Sequence, residues 1–79
     1  MTFDFGKVVQ MGKKLLDNGD DLKNKTLLSS AFPEWTTQKE CRVNFFGQSL
    51  RIVVTEKVPN GMMYMISDAQ ADELLSDLN

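Results

Sequence analysis

The 79 residues include no histidine, a single cysteine, Cys41, and only two prolines, Pro33 and Pro59. Without histidine the commonest general base is missing, and with it every Ser-His or Cys-His nucleophile pair. One cysteine makes no internal disulfide, and no imidazole stands beside it to complete a zinc site. No apolar run approaches the roughly 18 to 20 residues that cross a bilayer. The longest, Leu50 to Val54, is interrupted by Arg51. The start also lacks a targeting signal, since residues 1–12 carry Asp4 and Lys7 and no continuous apolar core. An unpaired thiol suits a reducing compartment, so the expected location is the cytosol. The scattered glycines form no phosphate-cradling loop.

What is present belongs to an ordinary globular chain. Hydrophobic residues make up 42% and charged residues 25%, which argues against disorder, and the length admits one small domain over residues 1–79. The net charge of −2 opposes a broad grip on phosphate backbone. That charge is unevenly placed. Residues 1–40 hold six basic and six acidic groups, residues 41–66 three basic and one acidic, and residues 67–79 four acidic and none basic. A mildly basic middle therefore adjoins a strongly acidic end.

The hydrophobic spacing divides the chain into three stretches. Phe5, Val8, Val9, Gly12, Leu15 and Leu16 fall on one face of a helix, with Asp4 as its N-cap and Asp17-Asn18-Gly19 as its stop. Gly12, costly inside a helix, implies a close approach by a neighbouring element. Between Asp21 and Phe32 the clustering of Leu27, Leu28, Ala31 and Phe32, closed by Pro33, predicts a second, shorter helix. From Cys41 to Ile66 the period changes to two, predicting three strands near 41–46, 49–58 and 62–66. Turns at Gly47-Gln48 and Pro59-Asn60-Gly61 would join them as an antiparallel meander. Ser67-Asp68-Ala69-Gln70 is a capping box that opens a last helix with an apolar stripe of Ala71, Leu74, Leu75 and Leu78. The expected fold is α+β, a two-layer domain with its helices on one face of a small antiparallel sheet.

No catalytic, metal or cofactor site emerges from this pattern. Asp68 with Asp72, and Glu73 with Asp77, share helix faces one turn apart, which is the spacing of a solvated acidic face. Asp17-Asn18-Gly19-Asp20-Asp21 is rich in oxygen but fails the twelve-residue calcium loop. Arg42 follows Cys41, yet neighbours on a strand point to opposite faces, so Cys41 reads as a packed thiol. Arg42, Arg51 and Lys57 beside Phe45 or Phe46 supply too few charges for a nucleic-acid surface. What is left is surface recognition. The sheet face away from the helices would carry Phe46, Val53, Met63 and Met65 as an adaptable apolar patch, unless the methionines merely fill gaps in a core. The acidic set Asp68, Asp72, Glu73 and Asp77 would meet a basic partner.

Phe32-Pro33-Glu34-Trp35, followed by Val43-Asn44-Phe45-Phe46-Gly47-Gln48-Ser49-Leu50-Arg51-Ile52-Val53, resembles segments of bacteriophage tail and baseplate proteins. There an FPEW-like element precedes a strand–Gly–strand hairpin, sometimes inside a carbohydrate-binding module. The run from Ile52 to Tyr64 is similar to a strand–turn–strand passage of small phage proteins. The resemblance implies a phage-encoded chain acting in the bacterial host cytosol, and it transfers no binding residues. The expected function is a non-enzymatic, protein-binding viral accessory factor or inhibitor that occludes a host protein surface. The alternatives are a tail or head subunit that self-assembles as a homo-oligomer, and a nucleic-acid or carbohydrate-binding module.

Overall fold

A computed structural model describes residues 3–76. Along the chain it places α1 (Phe5–Asp17), β1 (Lys25–Ser29), β2 (Glu40–Phe45), β3 (Gln48–Val54), β4 (Met63–Ser67) and α2 (Asp68–Ser76). Both helices start as the sequence dictates. The Lys7 N–H donates to Asp4 Oδ1 (3.0 Å), satisfying one free donor of the first turn of α1. Phe3 precedes this cap and Val8 follows it one turn later. Both are buried in one core, an arrangement that fixes the entry angle of the chain. Gly19 adopts φ +84° just beyond the end of α1. At α2 the capping box closes reciprocally: the Gln70 N–H donates to Ser67 Oγ (3.2 Å) and the Ser67 N–H donates to Gln70 Oε1 (3.2 Å).

The fold is a small α+β domain, but its sheet has four strands in the order β2-β3-β1-β4 and is mixed. β2 and β3 form an antiparallel hairpin, β3 runs parallel to β1, and β4 runs antiparallel to β1. Two expectations are corrected. The segment expected as a second helix is β1, and its insertion between β3 and β4 breaks the three-stranded meander. Residues 26–29 are buried on both faces, because β1 is a central strand. A strand of that kind is buried along its length, as Thr26-Leu27-Leu28-Ser29 is, with no polar–apolar alternation to reveal it. The buried hydroxyl of Ser29 is satisfied locally, donating to the Ala31 carbonyl (2.8 Å).

The helices also occupy opposite faces, so the two-layer arrangement gives way to a sheet covered on both sides. Leu27, Leu50, Ile52 and Phe45 share a core with Phe3, Val8 and Leu22, flanked by Val9, Met11, Leu15 and Leu16 of α1. Leu28 and Val53, their neighbours along β1 and β3, point the other way and pack with Val58, Ala71 and Leu75 under α2. Gly12 explains itself in this setting. A Cβ there would sit 3.0 Å from Phe45 Cε1, so glycine lets α1 lie against the Phe45 ring. A half-buried side-chain tie completes the frame. Gln48 Oε1 accepts from the backbone N–H groups of Leu22 (2.6 Å) and Lys23 (3.1 Å), fastening the chain after α1 to the start of β3.

Candidate functional site

The residues expected to form one apolar patch are dispersed. Val53 is only 6% exposed and lies under α2. Met63 and Met65 sit on the opposite face, half-buried against the α1 core. Phe46 belongs to neither face, for it occupies the tip of the β2–β3 hairpin and is 52% exposed. The apolar open face on which the patch depended is not formed, because α2 covers that side of β1 and β4 and the uncovered β2 end carries the polar Glu40, Arg42 and Asn44. An open groove does run between α1 and β4, lined by Met11, Lys14, Leu15, Asn18 and Met65.

The acidic helix is largely engaged within the domain. The Thr26 hydroxyl, fully buried, donates to Asp68 Oδ1 (2.7 Å) and accepts from Arg51 Nε–H (2.9 Å). Arg51 Nη2 then reaches Asp72 Oδ1 at 2.9 Å. The side chain of Arg51 is 14% exposed, and its hydrogen bond to Asp72 raises its pKa above the ordinary value, so the guanidinium stays charged. At the far end of α2 the Lys57 ammonium donates to the Leu74 carbonyl, placing positive charge on the negative end of the helix. Of the expected acidic set, Asp68 is half-buried against the sheet, Asp72 pairs with Arg51 while staying exposed, and Glu73 is exposed. Asp77 lies outside the described residues.

The face that does assemble is aromatic. Phe46 packs edge-on to Phe45 (ring centroids 4.8 Å), Phe45 to Phe5 (5.7 Å), Phe5 to Trp35 (5.8 Å) and Trp35 to Phe3 (5.9 Å). Interplanar angles of 75–90° mark all four contacts as T-shaped, the geometry the ring quadrupoles favour. Phe3 and Phe45 root the array in the core, while Phe5 (47% exposed), Trp35 (49%) and Phe46 (52%) present it to solvent. Three elements bring it together: the first turn of α1, the loop of residues 30–39, and the hairpin tip.

Phe46 occupies a backbone conformation that argues for purpose. The hairpin turns on Phe46 (φ +52°) and Gly47 (φ +79°), and two-residue turns with both φ positive strongly prefer Asn-Gly. A bulky aromatic residue in the left-handed region costs roughly 1–2 kcal/mol. This one is also half-exposed, so core packing does not explain its presence.

Sequence reasoning found Phe46 but missed the exposure of Phe5 and Trp35, placing the first on the apolar face of the first helix and the second within the phage-like FPEW segment. The signal lay in the pairing Phe3-Asp4-Phe5: with Asp4 as N-cap, only the residue before it and the one a turn later turn inward. Among the described residues no cluster of three or more Cys, Asp or Glu groups could hold a metal ion, and no helix is long and apolar enough to cross a membrane. Comparison with known proteins finds no matching family model, no matching curated protein and no matching solved structure.

Proposed function

We propose that this domain is a small non-enzymatic protein-binding module that docks a partner protein on the aromatic face of Phe5, Trp35 and Phe46. The carrying observation is Phe46, an exposed ring held at φ +52° where asparagine would sit without strain. Aromatic residues dominate the energetic centres of protein interfaces, because rigid rings offer large contact area at small entropic cost. Rings already locked edge-to-face lose still less freedom on binding. The occlusion mechanism expected of a phage-encoded accessory factor suits such a face, and the FPEW element that carries the phage resemblance contributes Trp35 to it.

Phe46→Asn separates stability from binding. Relief of backbone strain opposes loss of the Phe45–Phe46 contact, worth about 0.5–1.5 kcal/mol, so stability should stay within about 1 kcal/mol of the parent. A photo-crosslinking phenylalanine analogue at position 46 or 35, introduced in cells, should yield an adduct of one defined heterologous mass. The same probe at Lys23 or Glu56 should not, and Phe5→Ser should erase the adduct. Equal adducts at all four positions, or none at 46 and 35, would refute the docking face.

A further inference from the structure

The free edge of β2 carries a separate surface. β2 ends the sheet, with β3 on one side and no strand on the other. In the two-residue hairpin Phe45 and Gln48 flank the turn as a hydrogen-bonded pair. The parity then places the backbone groups of Val43 and Cys41 toward β3. The Val54 N–H donating to the Lys39 carbonyl at 2.7 Å continues the same parity. The N–H and C=O groups of Glu40, Arg42 and Asn44 therefore point away from β3, along the open edge. Among the described residues no backbone or side-chain group outside the β2–β3 ladder bonds to them. All three side chains are exposed, and α2 lies over β1 and β4 at the other side of the sheet.

Charge selects what fits this edge. Arg42 stands directly opposite Arg51 in the β2–β3 register, a like-charge cross-strand pair. Arg51 is neutralised by Asp72, whereas Arg42 and Glu40 take part in no ion pair among the described residues. We infer that two copies of this chain pair through their β2 edges, antiparallel about a twofold axis at Cys41. In that register Glu40 of each copy faces Arg42 of the other as a hydrogen-bonded pair, giving two ion pairs and four backbone hydrogen bonds. The register centred on Arg42 would oppose two arginines, and that centred on Val43 would bring together no opposite charges. The chosen register also brings the two Cys41 side chains together as a non-hydrogen-bonded pair. Its Cα separation of about 4.5 Å lies within the span of a disulfide.

Sedimentation equilibrium of the full chain tests this pairing. The parent should show a monomer–dimer equilibrium. Arg42→Glu replaces two attractions with two repulsions and should raise the dissociation constant at least about tenfold. Glu40→Arg combined with Arg42→Glu exchanges the charges and should restore dimerisation to within about threefold of the parent. Diamide, which removes two electrons and two protons from a pair of thiols, should link Cys41 to Cys41 in the parent and in the double variant. Thermal unfolding of each variant separates lost pairing from lost fold, and the double variant alone decides the matter if the single one unfolds. A parent that stays monomeric at every concentration overturns the inference, as does a dimer indifferent to Arg42→Glu or resistant to cross-linking. Phe46→Asn should leave the dimer intact, so failure of this inference is distinguishable from failure of the aromatic docking face.

Discussion

Thr26→Val removes one oxygen atom and keeps the shape of the side chain. In the parent that oxygen makes two hydrogen bonds, each to a charged group: Arg51 Nε–H at 2.9 Å and Asp68 Oδ1 at 2.7 Å. Bonds to charged partners contribute about 1.5–3 kcal/mol each when one side is deleted. The two losses differ in kind. Arg51 is 14% exposed, so its Nε–H keeps little access to water. Asp68 is half-buried at the first turn of α2, where water and the helix dipole compensate it in part. Valine's preference for strands returns a few tenths of a kcal/mol.

The balance is a loss of about 2–3 kcal/mol, or a fall in Tm of roughly 8–20 °C for a domain of this size. A chain of this length has roughly 4–12 kcal/mol in all, so the change is large. Thermal and urea unfolding followed by far-UV circular dichroism give the number. Amide exchange should show α2 loosening first, since the deleted atom is its tie to β1. Thr26→Ser keeps the hydroxyl and should retain most of the stability. A double-mutant cycle with Asp68→Ala should give a coupling of about 0.5–3 kcal/mol. A Thr26→Val protein as stable as its parent would refute the relay that joins Arg51 and Asp68 through Thr26.

Two further substitutions probe how the frame holds the aromatic face. Gly12→Val places branched carbons where a single Cβ already meets Phe45 Cε1 at 3.0 Å, so Phe45 must move. The expected cost is about 1–3 kcal/mol with a changed near-UV spectrum, and an unaltered spectrum would count against the close approach. Gln48→Met deprives the Leu22 and Lys23 amides of their acceptor at the α1–β1 connection. Unfolding in urea should register about 1–2 kcal/mol of lost stability, most of it restored by Gln48→Glu, which keeps an acceptor oxygen. Equal losses in both variants would show that bulk, not hydrogen bonding, matters there.

The elements legible in the sequence were those with local signatures. Asp4 and Ser67-Asp68-Ala69-Gln70 marked the helix starts, and the alternation over β2 and β3 marked the hairpin. What escaped was non-local. β1 lies buried on both faces between partners from later in the chain, and five residues of that kind carry no period. The turn was misplaced by one residue, at Gly47-Gln48 rather than Phe46-Gly47, because local propensity never assigns a left-handed φ to phenylalanine. The patch of Phe46, Val53, Met63 and Met65 failed for the same reason as the meander. With β1 inserted and a helix on each side, Val53 and the methionines belong to different cores.

The charge asymmetry takes on a different meaning in three dimensions. An acidic last helix beside a basic middle suggests an attachment point for a basic partner, yet the fold brings the two regions together. Arg51 meets Asp72, the Thr26 hydroxyl carries the link to Asp68, and Lys57 closes the carboxyl end of the helix. Part of the polarity written along the chain is thereby satisfied within the domain, where Asp68 and Asp72 help orient α2 on the sheet. Of the three cations between residues 41 and 66, Arg42 alone has neither an ion pair nor a hydrogen bond among the described residues, and it stands on the open edge. Recognition through Asp68 or Asp72 would have to compete with the contacts that hold the helix in place. An apolar ring array and an unpaired strand edge can be covered without disturbing either core.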